Sequence, residues 1–144
     1  MLVSFCVIAY NEEKALDSLF KDIIAQDYPH GNIEVILVNA MSTDQTRRKM
    51  EHFSEEDHGF RRVVVLDNAK KIQAAGWNVA ITASKGDIIL RIDAHTMIPH
   101  DFVSKNVQCI LSGENVTGGR RPNVVEEETP WKHTLLLAES SMFG

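Results

Sequence analysis

Hydrophobic residues in this chain form short continuous runs that alternate with segments of helical periodicity. The runs are rich in β-branched residues, which is typical of strands buried on both faces, and the segments between them place apolar residues three and four positions apart, as amphipathic helices do. The pattern predicts strands at residues 2–9, 34–38, 62–66, 88–92 and 116–118. It predicts helices at residues 13–25, 45–53, 71–82, 99–111 and 130–142.

Strict alternation of strands and helices predicts an α/β fold with a parallel sheet covered by helices on both faces. Residues 42–44 (S-T-D) are suited to cap the second helix, and Gly86 suits a left-handed position after the third. Ligands of such folds bind at the carboxyl ends of the strands. The residues that follow each strand are therefore the candidates for a functional site.

Composition narrows the class of protein. The chain has 144 residues with 15 Lys and Arg against 20 Asp and Glu, a net charge of −5, which fits one globular domain and argues against nucleic-acid binding. Cys6 and Cys109 are predicted to be reduced core residues, so a cytoplasmic setting is expected for this chain. It contains no apolar run long enough to span a membrane, and its first residues lack the basic start of a signal peptide.

Polar residues follow four of the predicted strands. They are Y-N-E-E at 10–13, N-A-M-S-T-D at 39–44, D-N-A-K-K at 67–71 and D-A-H at 93–95. Neither G-x-x-x-x-G-K-[ST] nor a G-x-G-x-x-G after the first strand is present, which argues against a P-loop enzyme and a dinucleotide-binding Rossmann domain. A bound diphosphate would then need another counter-charge, for which a divalent metal is the usual choice.

Asp93 and His95 are the candidate metal ligands. In an extended segment residues i and i+2 project to the same side, so a carboxylate and an imidazole can face one ion, with phosphate oxygens of a substrate completing its shell. This donor pair suits Mn²⁺ better than Ca²⁺. The alternative is that both side chains cap the following helix.

Four segments in order resemble motifs of family 2 glycosyltransferases of the GT-A fold. Residues 3–13 are similar to the opening strand and its P-T-Y-N-E loop, and residues 38–44 to V-D-D-G-S-T-D. Residues 76–80 resemble A-x-N-x-G, and residues 86–95 resemble G-E-y-I-x-x-l-D-a-D. The variants at 41–44 and 91–96 look most like the subgroup related to bacterial succinoglycan glucosyltransferases.

The resemblance implies a Rossmann-like, three-layer α/β/α sandwich with a mostly parallel central sheet. It also implies that the chain binds a nucleotide-diphospho-sugar together with Mn²⁺ or Mg²⁺. The expected donor is a UDP-sugar. Asp93 and His95 would hold the metal. The residues implied in donor binding are Ala9, Tyr10, Glu12, Asn39, Lys71 and Asp93. Tyr10 and Glu12 would border the base and ribose, and Lys71 would reach the diphosphate.

The expected reaction is one inverting displacement in which a hydroxyl of a saccharide or lipid-linked saccharide attacks the anomeric carbon. Residues 1–144 would form the donor-binding N-terminal portion of a larger domain, with the catalytic base beyond residue 144 and a parent protein at the cytoplasmic face of a membrane. An apolar face around Leu135, Leu136, Leu137 and Phe143 is expected to be exposed.

Departures from the motifs keep a second function open. Asn39, Ala40 and Met41 replace Asp, Asp and Gly, which favours a non-catalytic nucleotide-sugar-binding or interaction domain of the same fold. A sugar nucleotidyltransferase is the third alternative. That class needs a Gly-rich, basic first loop, whereas the loop at 10–13 is acidic.

Overall fold

The computed structural model describes residues 1–119 and 129–139 of the chain. Its strands are β1 (Val3–Ala9), β2 (Ile33–Asn39), β3 (Arg62–Asp67) and β4 (Ile88–Asp93). Its α-helices are α1 (Leu16–Ile24), α2 (Thr46–Glu55), α3 (Gln73–Ala83), α4 (Phe102–Leu111) and α5 (Pro130–Glu139). A short 3₁₀ turn, His30–Asn32, precedes β2.

The four strands form one parallel sheet in the order β3-β2-β1-β4. Ala9 pairs with Asn39 and Asn39 with Asp67, while Asp93 pairs with Ile8. This register brings the carboxyl ends of all four strands to one edge. The predicted α/β class with a mostly parallel sheet is confirmed.

Helices cover both faces of the sheet, which completes the predicted three layers. Apolar residues of α1, α2 and α4 pack with one face of β1, β2 and β4, in a core that includes Phe5, Leu19 and Met50. The other face, with Cys6 and Ile36, packs against Ala80 of α3. Both faces of β1 and β2 are therefore buried, which explains their continuous hydrophobic runs.

A buried carboxylate ties the amino-terminal edge of the sheet together. Glu34 on β2 accepts hydrogen bonds from Ser4 Oγ (2.5 Å), from the backbone N–H of Lys85 (2.5 Å) and from Arg62 Nε (2.6 Å). Burial alone would raise the pKa of Glu34, but the hydrogen bonds from Ser4, Lys85 and Arg62 outweigh it and hold the pKa below its ordinary value. The ionised carboxylate therefore joins β1, β2, β3 and the turn before β4.

Gly86 belongs to the same cluster for a steric reason that differs from the prediction. Its φ is not in the left-handed region, which in the described glycines is occupied by Gly59 and Gly113. A Cβ on Gly86 would lie 2.5 Å from Ser4 Oγ and 2.6 Å from the Ser4 backbone nitrogen. Glycine is needed here because the turn after α3 passes so close to β1.

Two further predictions differ from the structure. Residues 116–118 form no strand, and Thr117 Oγ1 instead hydrogen-bonds to Asn106 on α4. Cys109 is exposed rather than buried, because α4 directs Val103 and Val107 to the core instead; Cys6 is buried as predicted, and both thiols are free.

The carboxyl-terminal helix exposes much of its apolar surface. Leu135 and Leu137 are exposed and Leu136 is half-buried, whereas Phe143 and the predicted last turn of the helix at 140–142 lie outside the described residues. None of the helices in the described ranges has the length and apolar character needed to cross a membrane.

Candidate functional site

A cleft of about 260 Å³ opens at the carboxyl edge of the sheet, where the register aligns the strand ends. Residues that follow all four strands contribute to its wall. They are Ile8, Tyr10, Glu12, Ala40, Lys71, Gln73, Asp93, Ala94 and His95. Five of the residues implied by the sequence motifs, Tyr10, Glu12, Lys71, Asp93 and His95, therefore meet in one place.

Ala9 and Asn39 lie at the same edge but behind the cleft wall. Each is only 2% exposed, and they are register partners on β1 and β2. The Ala9 carbonyl accepts a hydrogen bond from the backbone N–H of Ala40 (2.9 Å). Tyr10 follows directly and is 53% exposed, so its ring is available to a ligand.

Hydrogen bonds between the first two loops fix the direction of the chain after β1. The backbone N–H of Asn11 donates to Ser42 Oγ (3.1 Å), and the backbone N–H of Thr43 donates to Asn11 Oδ1 (2.9 Å). The backbone N–H of Glu12 donates to Thr46 Oγ1 (2.7 Å). These motif residues act on the site indirectly, since they hold Tyr10 and Glu12 in place.

Asp44, which precedes α2, accepts a hydrogen bond from the start of that helix, as the sequence predicted. Its Oδ1 accepts the backbone N–H of Thr46, the first residue of α2 (2.9 Å). Its Oδ2 accepts the backbone N–H of Glu13 (3.2 Å). One carboxylate thus satisfies a free N–H of the helix start and binds the preceding loop as well.

Three of the residues in these loops have left-handed backbone conformations. They are Asn11 (φ 54°), Met41 (φ 61°) and Lys71 (φ 59°), and each lies in the loop after a different strand. Asn tolerates this region, whereas Met and Lys adopt it at a cost. Met41 stands where the family motif has glycine, and its φ shows why glycine suits that position.

Glu12 and His95 meet across the cleft. Oε1 of Glu12 lies 3.1 Å from Nδ1 of His95, and the imidazole is 60% exposed. A proton on Nδ1 that is shared with this carboxylate leaves Nε2 as the basic nitrogen. His95 follows Asp93 by two residues, and both line the cleft.

Within the described ranges, three or more His, Cys, Asp or Glu side chains do not come together as a metal-ligand group. Asp93 and His95 provide one carboxylate and one imidazole, a donor set that fits Mn²⁺ or Mg²⁺ when oxygen atoms of a ligand supply the remaining positions.

Lys71 is placed by the buried side chain and backbone of Asn68. The Asn68 carbonyl accepts the backbone N–H of Lys71 (3.1 Å), and Asn68 Nδ2 donates to the carbonyl of Ile72 (2.9 Å). Asn68 is itself bonded to β2 through its backbone N–H, which donates to the Asn39 carbonyl (2.8 Å). The left-handed turn at Lys71 brings its side chain to the cleft.

Asp67 and Arg47 are residues at this edge to which the sequence analysis assigned no role. Asn39 Nδ2 donates to Asp67 Oδ1 (3.1 Å), and Arg47 Nη1 donates to Asp67 Oδ2 (2.5 Å). The hydrogen bonds from Arg47 and then Asn39 hold the pKa of Asp67 below its ordinary value. The position of Asp67 at a strand end was visible in the sequence, but its pairing with Arg47 on α2 was not.

The sequence of the chain is similar to those of known enzymes. The model described as "Glycosyl transferase family 2" matches residues 4–143. The succinoglycan biosynthesis protein ExoA of Rhizobium meliloti is 33% identical over 71% of this chain and 30% of its own length. The undecaprenyl-phosphate 4-deoxy-4-formamido-L-arabinose transferase of Aeromonas hydrophila is 30% identical over 85% of this chain and 37% of its own length.

Solved structures share the fold. The mannosyltransferase PcManGT from Pyrobaculum calidifontis, solved in complex with GDP-Man and Mn²⁺, has a TM-score of 0.73 and 25% identity, over 83% of this chain and 36% of that one. Residues 1–349 of S. aureus TarS have a TM-score of 0.70 and 23% identity, over 85% of this chain and 39% of that one. The chain spans less than half the length of these relatives. On the family match and the shared GT-A fold, the chain belongs to glycosyl transferase family 2.

Proposed function

We propose that residues 1–144 are the donor-binding part of an inverting glycosyltransferase and hold a nucleotide-diphospho-sugar with a divalent cation in the cleft at the carboxyl edge. The observation that carries this proposal is the convergence of Tyr10, Lys71, Asp93 and His95 on one cleft from the ends of β1, β3 and β4. An aromatic ring, a cationic side chain and a carboxylate–imidazole pair match the base, the diphosphate and its metal.

Five of the lining residues have a proposed role that their chemistry supports. The exposed ring of Tyr10 stacks on the base, and Glu12 borders the ribose while it orients His95. Lys71 neutralises part of the diphosphate charge. Asp93 and His95 would hold the cation, which when bound would stabilise the negative charge on the departing nucleoside diphosphate. Ala9 and Asn39 are buried behind these groups and do not line the cleft.

Similar proteins support the ligand class. PcManGT has been solved with GDP-Man and Mn²⁺, and TarS 1–349 has been solved with UDP-GlcNAc, the latter at a TM-score of 0.69. Both share the sheet on which the cleft of this chain is built. A UDP-sugar is the proposed donor here, and Mn²⁺ or Mg²⁺ the proposed cation.

The proposed reaction is a single displacement. The oxygen of an acceptor hydroxyl forms a bond to the anomeric carbon as the bond to the diphosphate oxygen breaks, and the hydroxyl proton passes to a carboxylate base beyond residue 144. The acceptor is a saccharide or lipid-linked saccharide, and the parent protein works at the cytoplasmic face of a membrane. The names of two relatives, a succinoglycan biosynthesis protein and an undecaprenyl-phosphate sugar transferase, support this choice.

Ala40 favours a second candidate function. It contributes a methyl group to the cleft at a position where the family motif has a carboxylate. A domain of this kind would bind nucleotide sugars without turning them over. Release of nucleoside diphosphate by the full-length parent in the presence of acceptor separates the two functions.

Calorimetric titration of the chain with UDP-glucose, UDP-GlcNAc and GDP-mannose, in MnCl₂ or EDTA, tests the proposal. We expect saturable binding that MnCl₂ strengthens. His95→Ala should remove the effect of MnCl₂, and the matched variant His52→Ala, an exposed histidine on α2 outside the cleft, should retain it. A folded sample that binds none of the three donors under either condition would contradict the proposed function.

A further inference from the structure

Helix α1 is attached at its two ends to the two sides of the Glu12–His95 contact. Its first residue, Leu16, donates its backbone N–H to the carbonyl of Glu12 (3.1 Å). At the other end of the helix, the side chains of Asp22 and Gln26, four positions apart, bond to the segment that follows His95. One helix therefore connects both partners of this contact.

The segment that carries His95, residues 94–101, contains no helix or strand. It begins with a turn in which the backbone N–H of Thr96 donates to the carbonyl of Asp93 (3.1 Å). Ala94 and Ile98 lie on either side of His95, are only 2% and 7% exposed, and pack in the core that includes α1. Apolar contacts of this kind are non-directional, so they fix the depth of the segment rather than the direction of its backbone.

Three hydrogen bonds from Asp22 and Gln26, together called the α1 clamp, fix that direction. Asp22 Oδ2 accepts the backbone N–H of Ile98 (3.1 Å). Gln26 Nε2 donates to the carbonyl of Pro99 (2.9 Å), and Gln26 Oε1 accepts the backbone N–H of Val103 (3.0 Å). The clamp thus holds the backbone from the middle of the segment to the first turn of α4.

Burial makes the amide of Gln26 important for this segment. Gln26 is 5% exposed, and its Nε2 donates to the carbonyl of Asp22 (2.9 Å) as well as to that of Pro99. Asp101, the residue before α4, makes no side-chain hydrogen bond to the start of that helix, so Gln26 satisfies the N–H of Val103 instead. Because unbonded polar groups are costly in a core, loss of the amide should displace the backbone that it holds.

We propose that Asp22 and Gln26 are positioning residues for His95, and that the α1 clamp holds its imidazole against Glu12 with Nε2 directed at the cation. The role toward a cation rests on the proposed function, whereas the position of the imidazole does not. The first bond of the clamp, at Ile98, lies only three positions after His95. A shift of the segment away from α1 would separate Nδ1 of His95 from Oε1 of Glu12, which are 3.1 Å apart.

Titration of Mn²⁺ into the chain with UDP present, followed by electron paramagnetic resonance, measures the effect on the cation. Gln26→Met keeps an unbranched side chain but removes its donor and acceptor, and we expect about tenfold weaker Mn²⁺ binding. Asp22→Ala should weaken binding in the same direction. Asp22→Asn keeps an oxygen acceptor for the N–H of Ile98 and should bind Mn²⁺ as the wild type does. UDP binding in EDTA should be unchanged in all three variants.

A second measurement needs no ligand. In the metal-free chain, the NMR signals of the His95 imidazole, assigned by their loss in His95→Ala, report its contact with Glu12. We expect these signals to shift in Gln26→Met and Asp22→Ala and to keep their positions in Asp22→Asn. Ile36→Val is the control for lost stability, because it shortens a fully buried side chain on the other face of the sheet. It should change neither the His95 signals nor the Mn²⁺ affinity.

The two measurements separate this inference from the proposed function. If Gln26→Met and Asp22→Ala are folded and keep the wild-type Mn²⁺ affinity, the inference is wrong while the proposed function stands, whether or not the His95 signals shift. If Ile36→Val has an equal effect on either measurement, the cause is lost stability and the inference is also wrong. If the wild-type chain binds neither UDP nor Mn²⁺, the proposed function fails, and the His95 signals alone decide whether the clamp positions the imidazole.

Discussion

The carboxylate of Glu12 and the imidazole of His95, 3.1 Å apart, join the loop after β1 to the loop after β4. Both residues line the cleft, and both are among those implied in donor and metal binding. A histidine that donates Nδ1–H to a carboxylate has its Nε2 lone pair oriented for a metal. Glu12 is thus placed to act as a positioning residue for His95.

Removal of Glu12 should weaken cation binding. In Glu12→Ala, His95 loses the partner that selects its tautomer and ring orientation, and we expect Mn²⁺ affinity in the presence of UDP to fall about 10–100-fold. Titration of Mn²⁺ followed by electron paramagnetic resonance measures this directly. Glu13→Ala is the matched control, because Glu13 belongs to the same loop but its side chain bonds to the backbone N–H of Gln45. Equal Mn²⁺ affinity in Glu12→Ala and wild type would show that Glu12 does not position His95 for the cation.

Met41→Gly should stabilise the fold. Met41 has φ 61°, a conformation that a Cβ disfavours, so glycine relieves backbone strain. Glycine also increases the entropy of the unfolded chain, which offsets part of this effect. The net increase in the free energy of unfolding is about 0.5–1 kcal/mol. Denaturant unfolding measures the change. Met97→Gly provides the comparison, since Met97 is more exposed and has no positive φ, and it should bring no gain. A loss of stability in Met41→Gly would show that the side chain has a packing role.

Gly86→Ala should destabilise the fold by about 1–3 kcal/mol, the usual cost of overpacking. The new Cβ would meet the backbone nitrogen of Ser4 at 2.6 Å, so a strand or the turn must shift and disturb the hydrogen bonds to Glu34. The unfolding midpoint in urea reports the loss. At Gly31 a Cβ meets nothing within 4 Å, and Gly31→Ala should be nearly neutral. Equal midpoints for the two variants would contradict the close approach.

Glu34 should make stability depend on pH in the acid range. The pKa of Glu34 in the folded chain lies below its ordinary value of 4.5. Its contribution to the free energy of unfolding is therefore fully present above pH 4.5 and is lost as the pH falls through the folded pKa. Unfolding free energies of wild type and Glu34→Gln, measured between pH 6 and about pH 3, should converge as the acid protonates. A difference in unfolding free energy that stays constant across that range would show that the pKa of Glu34 is the same in the folded and the unfolded chain.

The local pattern of hydrophobic and polar residues was sufficient to predict the sheet, its helices and the edge at which the candidate site lies. Runs such as Val3–Ala9 and Ile33–Asn39 are apolar at most positions because both faces of these strands are buried, and this pattern is visible in consecutive residues of the sequence. Parallel pairing then places Tyr10, Asp93 and His95 at one edge whatever the details of the loops. Residues 116–118 show the limit of this reasoning, because a strand also needs a neighbour to pair with, and Thr117 instead bonds to α4.

Tertiary structure alone decided which side chains are partners. Glu12 and His95 are 83 positions apart, and Asn39 and Asp67 are 28 apart, so no local period relates them. The left-handed turns at Met41 and Lys71 likewise follow from the loops packing on each other rather than from the propensity of either residue. The sequence determined where the polar groups gather, through the alternation of strands and helices. The fold decided their pairing, because hydrogen bonds across loops depend on distances that exist only after the sheet has formed.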